Sequence, residues 1–262
     1  MAGQYEKITF EREGRQALIT INRPERLNAI DAQTSQELLA AFSAFRDDPD
    51  LWVAILTGAG DRAFSTGNDL VAMAEAMAGK GSLRFDAPFG GITRDFECWK
   101  PIIAAINGYC LAGGLEVALC CDIRVAAEHA QFGVPEVTRA IIPAAGGTQR
   151  LPRMLPRGIA LELLLTGARF DAQWALRYGL VNCVVPAGGV LPKARELAAA
   201  ICENGPLAVR AAKESALRGV ELPLQEGLAQ EVEFSRQVVR TEDAREGPAA
   251  FAQKRKPVYK GR

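Results

Sequence analysis

Two glutamates, Glu116 and Glu136, each follow a residue that punctuates backbone structure: Gly113-Gly114-Leu115-Glu116 in one case, Val134-Pro135-Glu136 in the other. A Gly-Gly pair opening a helix leaves backbone N–H groups without intrahelical partners, free to face a developing negative charge. Two carboxyls beside such donors can move protons on an activated carbonyl compound. The chemistry these residues point to is acid/base work on an enolate. A second donor-rich bend is offered by Phe64-Ser65-Thr66-Gly67-Asn68-Asp69-Leu70, a small polar segment running into a helical pattern with Asp69 placed to cap it. Taken alone, Glu116 reads as a first-turn acid that complements the helix dipole. The second carboxyl and the second bend shift the balance toward a site.

Elements able to position these residues are legible around them. Ala17–Ile21, Val53–Leu56, Ile102–Ile106 and Ile123–Val125 are short, apolar and β-branched, as buried strands are. Between the first two lies an amphipathic helix near Thr34–Arg46 with Leu38, Leu39, Phe42 and Phe45 on one face, capped by Asp31 or Ser35. This alternation predicts an α/β core. Residues 79–93 are Gly-rich, lack periodicity and read as a long loop, extending to about residue 95. Beyond Gly147 the chain reads as helical: Arg157–Thr166, Asp171–Tyr178, Leu191–Glu203, Leu207–Arg218, Leu224–Val239 and Ala244–Lys254. No internal sequence repeat is evident.

The bulk properties narrow the function classes. At 262 residues the chain can form one large domain with an appended element. It is 48% hydrophobic and 24% charged with zero formal net charge, so nothing draws it to nucleic acid or an anionic membrane. The polar N-terminus has no signal-like apolar run, no stretch reaches the ~20 apolar residues of a membrane span, and a cytoplasmic protein is expected. The six cysteines form no C-x-x-C and read as small buried hydrophobes. No metal site is expected. His129, the one histidine, lies in a polar context, and no G-x-S-x-G elbow supports a hydrolase triad. Gly58-Ala59-Gly60-Asp61-Arg62-Ala63 fits a loose dinucleotide fingerprint, but no helix opens at its glycines, and a tight turn is the reading.

In order along the chain, these segments resemble the enoyl-CoA hydratase (crotonase) superfamily. The resemblance is carried by Asn22-Arg23-Pro24-Glu25-Arg26-Leu27-Asn28-Ala29, Phe64 to Leu70, Asn107-Gly108-Tyr109, and Gly113 to Glu116. It continues through Phe132 to Glu136, Ile142-Pro143, Gly146-Gly147-Thr148-Gln149-Arg150-Leu151 and Phe251-Ala252-Gln253-Lys254-Arg255. Asn28-Ala29-Ile30-Asp31, Phe45 to Pro49 and the ending Val258 to Arg262 are similar to crotonobetainyl-CoA (carnitinyl-CoA) hydratases. The family implies a spiral of ββα units, here residues 1–190, and a helical region, 191–262, that builds trimers or dimers of trimers. It implies an acyl-CoA thioester substrate with no separate cofactor. The oxyanion hole carries over to the N–H groups of Asn68 and Gly113, and the proton-transfer pair to Glu116 and Glu136. Arg26 is implied near the coenzyme A phosphates, with Ala29 and Ser65, Thr66, Gly67, Asp69 and Leu70 around the adenine. Phe251 and Lys254 would reach in from the C-terminal region, from a neighbouring subunit. The expected reaction is addition of water across C2–C3 of a trans-2-enoyl-CoA. For a quaternary ammonium acyl group, Phe85, Asp86, Phe89, Asp95, Phe96 and Trp99 could form an aromatic or acidic pocket. The rival is a catalytically idle binding protein on the same fold.

Overall fold

The computed structural model describes residues 5–75, 78–79 and 87–262. An N-terminal hairpin of β1 (Ile8–Glu13) and β2 (Gln16–Ile21) turns at Gly14 and leads into α1 (Ala32–Asp47). Asp31 is the cap of that helix: its Oδ1 accepts from the Thr34 N–H at 2.8 Å and the Thr34 hydroxyl at 2.7 Å. The buried face of α1 is Thr34, Ser35, Leu38, Ala41, Phe42 and Phe45, while Leu39 sits half-buried at its edge. Burying each large apolar member of that face is worth about 1.5–3 kcal/mol.

The next elements alternate between two sheets. The chain passes through β3 (Val53–Gly58) and β4 (Ala63–Ser65) to α2 (Leu70–Glu75), then β5 (Ile102–Ile106) and β6 (Tyr109–Leu111) to α3 (Gly113–Ala118). Strands β7 (Ile123–Ala127) and β8 (Gln131–Gly133) then lead to a 3-10 turn at Pro135–Arg139. In each pair the longer strand joins one sheet and the shorter strand the other. Helices α4 (Gly147–Met154) and α5 (Arg157–Thr166), strand β9 (Arg169–Asp171), α6 (Ala172–Arg177) and β10 (Cys183–Val185) follow. The first sheet runs β1-β2-β3-β5-β7-β10, the second β4-β6-β8-β9. All pairings are parallel except β1–β2 and β8–β9.

Three successive strand pairs thus repeat one topology without repeating a sequence. The repeat is enforced by geometry: β3, β5 and β7 are apolar apart from the buried Thr57 and Arg124, because both faces of that sheet are covered. On one face lies α7 (Val190–Cys202), packed across β3, β5 and β7, although the sequence division assigns it to the C-terminal region. Beyond it, α8 (Pro206–Gly219) and α9 (Leu224–Val239) form a hairpin, and α10 (Glu242–Ala252) closes the chain. Lys213 of α8 reaches back to Asp122 Oδ2 at 2.7 Å and the Lys100 carbonyl at 3.0 Å.

The segment expected as a tight turn is one. Gly58 ends β3, and a Cβ there would lie 2.3 Å from the Ala63 carbonyl oxygen, so the chain folds back on itself rather than opening a helix. All six cysteines are free, buried or half-buried. No helix among the described residues is long and apolar enough to cross a membrane.

Candidate active site

A cavity of about 1240 Å³ opens where the ends of β4, β6 and β8 meet the helices that follow them. Strand β6 enters it and reverses at Ala112, whose φ of 52° and ψ of −131° put a non-glycine residue in a disfavoured region. Such a conformation costs about 1–3 kcal/mol and persists only where the surroundings impose it. Here the Ala112 N–H donates to the Gly133 carbonyl at 2.8 Å, and the turn opens α3 at Gly113 on the cavity wall.

The second bend lies against the first. Gly67 has φ +86°, and a Cβ there would sit 2.7 Å from the Gly113 nitrogen and 2.9 Å from Ala112 Cβ. A Cβ on Gly114 would lie 2.2 Å from the Ser65 carbonyl oxygen. These glycines let the two backbones touch, which sets Asn68 beside Gly113. The Asn68 N–H makes no hydrogen bond among the described residues, and Gly113 is the first residue of a helix, where no intrahelical acceptor exists. Both residues line the cavity. Two unengaged donors on adjacent bends are the arrangement that can receive a developing oxyanion.

Glu116 lies on the first turn of α3 with 2% exposure. Its Oε1 accepts from the Ala145 N–H at 2.8 Å and the Gly147 N–H at 2.7 Å. Burial raises its pKa above the ordinary carboxyl value, offset in part by those two N–H groups and by the charges of Arg150 and Arg94. Glu136 follows Pro135 at the start of the 3-10 turn, 8% exposed, and lines the same cavity. Its Oε2 is buried without a hydrogen-bond partner among the described residues. Burial first, and the Glu116 charge second, push its pKa up to about 7. The two carboxyls therefore differ: Glu116 is held as an acceptor by two donors, while Glu136 favours its protonated form near neutrality.

Of the other residues expected at the site, Arg26, Ala29, Thr66, Asp69 and Leu70 line the cavity. Ser65 and Gly67 do not: Ser65 is fully buried and its hydroxyl accepts from the Gly67 N–H at 3.1 Å, which shapes the bend. The Asp69 carboxylate is engaged within the fold. It caps α2 through the Val71 and Ala72 N–H groups and binds Arg23 Nη2 at 2.9 Å. Burial alone would raise Asp69, but the Ala72 N–H and the Arg23 guanidinium outweigh it and the net shift is downward. Asn28 is a backbone staple, bonding the Arg23 N–H and the Ala59 and Ala63 carbonyls at 2.7–3.0 Å.

Phe251 and Lys254 do not reach the cavity within one chain; Phe251 on α10 is 87% exposed. Phe85 and Asp86 lie outside the described residues. Phe89 and Asp95 are on the cavity wall, whereas Phe96 packs on Phe42 and under Arg46, and Trp99 lies under Arg218. His129 Nε2 lies 3.1 Å from the Asp61 carbonyl oxygen, away from the cavity lining. What sequence reasoning missed is the loop Ala144–Gly147 that holds Glu116, and Arg94, Arg139 and Arg169 on the cavity wall. The Gly146-Gly147 pair was the available signal, since paired glycines ahead of a helix mark a backbone that must be approached closely.

Residues 11–262 match the family model described as Enoyl-CoA hydratase/isomerase. A carnitinyl-CoA dehydratase from Citrobacter koseri is 46% identical, covering 98% of this chain and 99% of its own. One from Salmonella typhi is 45% identical with the same coverage. Among solved structures, the enoyl-CoA hydratase from Mycobacterium tuberculosis superposes with a TM-score of 0.91 at 39% identity, over 98% of this chain and 99% of that one. The enoyl-CoA hydratase from Bacillus anthracis gives 0.89 at 40% identity, over 98% and 100%.

Proposed function

The chain belongs to the enoyl-CoA hydratase/isomerase family, and we propose that it hydrates trans-2-enoyl-CoA thioesters through the Glu116–Glu136 pair. The thioester oxygen accepts from the N–H groups of Asn68 and Gly113, which draws electron density from C3. Glu116, ionised, takes a proton from water as the water oxygen bonds to C3. The C2–C3 π electrons pass to the thioester oxygen as an enolate. Glu136 gives its proton to C2, and the enolate collapses to the 3-hydroxyacyl thioester. Solvent exchange resets the two carboxyls. The observation that carries this reading is their asymmetry: one carboxylate held by two N–H donors, the other buried with an unpartnered oxygen and a pKa near 7.

Acid, base and oxyanion donors all come from the chain, so this reaction calls for no cofactor beyond the coenzyme A of the substrate. Arg26 would meet its phosphates, and Ala29, Thr66 and Leu70 the adenine, a reading supported by the presence of all four on the cavity wall. Self-association as trimers or dimers of trimers follows from the resemblance. It is supported by the apolar face of α8 and α9, where Val220, Leu224 and Val239 are each exposed by about two thirds or more beside a groove of about 710 Å³. Association would also bring Phe251 and Lys254 of one copy toward a neighbour's cavity. The activity is assigned to the cytoplasm.

A second reading, hydration of crotonobetainyl-CoA, is favoured by the relatives named carnitinyl-CoA dehydratase. The Phe89 ring and the Asp95 carboxylate on the cavity wall suit a quaternary ammonium group. Initial rates on crotonyl-CoA and crotonobetainyl-CoA, followed as loss of conjugated thioester absorbance, test both. Turnover of either thioester supports the hydratase, and the ratio of kcat/KM values assigns the acyl group. No turnover of either would leave the idle binding protein.

A further inference from the structure

Arg150, in the second half of the first turn of α4, has no role in the reaction as written, yet it is bonded to two segments of the cavity wall. Its Nη1 donates to the Ala145 carbonyl at 3.1 Å, and its Nη2 to the Thr93 carbonyl at 3.0 Å. Ala145 is the residue whose own N–H donates to Glu116 Oε1. Thr93 belongs to the neighbouring wall segment, where its hydroxyl donates to the Phe89 carbonyl at 2.7 Å and the adjacent Arg94 donates to the Ala144 carbonyl. Phe89 in turn lies against the oxyanion bend, since a Cβ on Gly113 would sit 2.4 Å from its ring. The same wall is anchored to α1, with the Gly90 N–H donating to Ser35 Oγ at 3.2 Å.

The neighbouring glycines are shaped around this arrangement. Gly146 has φ +111°, and a Cβ there would lie 1.8 Å from Arg150 Nη1. A Cβ on Gly147 would lie 3.0 Å from Glu116 Oε1 and 2.9 Å from Pro143 Cβ. The glycine pair lets the guanidinium pass beneath the loop and lets the loop close on the carboxylate. Among the described residues the hydrogen bonds of the Arg150 guanidinium go to the Ala145 and Thr93 carbonyls and none to a carboxylate.

We propose that Arg150 is a positioning residue that fixes the two N–H groups holding Glu116, by tying their loop to the acyl wall at Thr93. This rests on the reading of Glu116 as the group that activates water. Without the clamp the Ala145–Gly147 loop keeps its sequence but loses its register against Glu116. A misplacement of that kind on the order of 1 Å costs about 10²-fold in rate. The charged groups facing Glu116 are Arg150 from α4, Arg94 from the wall, Glu136 from the 3-10 turn, and the neutral Cys120 thiol at the end of α3. Removing Arg150 takes away one of the two cations that favour ionised Glu116, so its carboxyl must titrate higher.

The test is the full-length enzyme carrying Arg150→Met or Arg150→Lys, assayed for crotonyl-CoA hydration across pH, with Glu116→Gln alongside. Arg150→Met is expected to lower kcat about 10- to 100-fold with KM nearly unchanged. It should also move the acid limb of kcat/KM to higher pH. Arg150→Lys, which keeps the charge but spans one carbonyl, should lie between in kcat and leave the acid limb near wild type. Should the Met variant not fold, the Lys variant and Gly146→Ala, which displaces the guanidinium, carry the same kcat expectation. A folded Arg150→Met enzyme with wild-type kcat and acid limb would overturn the proposal while a dead Glu116→Gln enzyme leaves the hydratase reading intact. A fully active Glu116→Gln enzyme would overturn both.

Discussion

Replacing Glu136 by glutamine should make the protein more stable at neutral and alkaline pH, and the size of the gain should depend on pH in a defined way. The Glu136 carboxyl moves from 4.5 to about 7 on folding because burial, and then the Glu116 charge, disfavour its ionised form. Below pH 4.5 it is protonated in both folded and unfolded chains and contributes nothing to the pH dependence. Between 4.5 and about 7 the unfolded chain releases the proton while the folded chain keeps it, so stability falls as pH rises. Above about 7 the loss is complete. That interval corresponds to about 3 kcal/mol at 1.36 kcal/mol per pH unit, and water entering the open cavity should reduce it to roughly 2 kcal/mol. Glutamine keeps the shape and cannot ionise. Urea unfolding of both proteins at matched protomer concentration, from about pH 4.5 to 8, gives the difference directly. The variant's advantage should grow by roughly 2 kcal/mol across that range and then level off. A difference constant to within about 0.5 kcal/mol would mean that Glu136 is not held neutral by its site.

Gly67→Ala should leave the fold recognisable by circular dichroism but drive Gly113 and Asn68 apart, lowering kcat by about 10²–10³, the cost of one oxyanion donor; a rate within tenfold of wild type would contradict the paired-bend geometry. Arg23→Met removes the partner of the half-buried Asp31 and the buried Asp69, at 3.2 and 2.9 Å, and strands the Asp69 carboxylate. It should cost about 3–5 kcal/mol in urea unfolding, and a loss under about 1 kcal/mol would show that Asp69 is satisfied by its capping bonds alone. Phe251→Ala and Lys254→Ala should raise KM for the thioester and leave kcat and protomer stability unchanged; unchanged KM would remove both from coenzyme A binding.

The residues with distinctive local chemistry were legible in the chain; those whose roles depend on long-range contacts were not. Glu116, Glu136, Gly113 and Asn68 stand next to glycines or prolines that mark backbone bends, and the fold brings all four to one cavity. Strands β4, β6, β8 and β9 are three residues each, too short for a period of two to be seen, so the second sheet was invisible. Ser65, Gly67 and Asp69 share a motif with Asn68, and the family resemblance implied them around the adenine. In the structure the motif is divided: Asn68 offers its N–H to the cavity, while the other three build the bend and its helix cap. The Glu116 cradle escaped notice because Ala145 and Gly147 act through their backbone N–H groups, about thirty residues away, and backbone donors carry no side-chain signal. Helices α5, α7, α8, α9 and α10 were readable because their apolar residues recur over several turns.

The central claim is that two unlike carboxyls in one cavity carry the hydration. Its most direct test is the initial rate of hydration of crotonyl-CoA or crotonobetainyl-CoA, whichever the wild type turns over, by Glu116→Gln, Glu136→Gln and the double variant. Circular dichroism and oligomeric size would establish that each is folded. Each single variant should lose at least about 10³-fold in kcat, and the double variant should be little worse than either single one, because acid and base act in one step. A folded single variant that keeps kcat within tenfold of wild type would contradict the account.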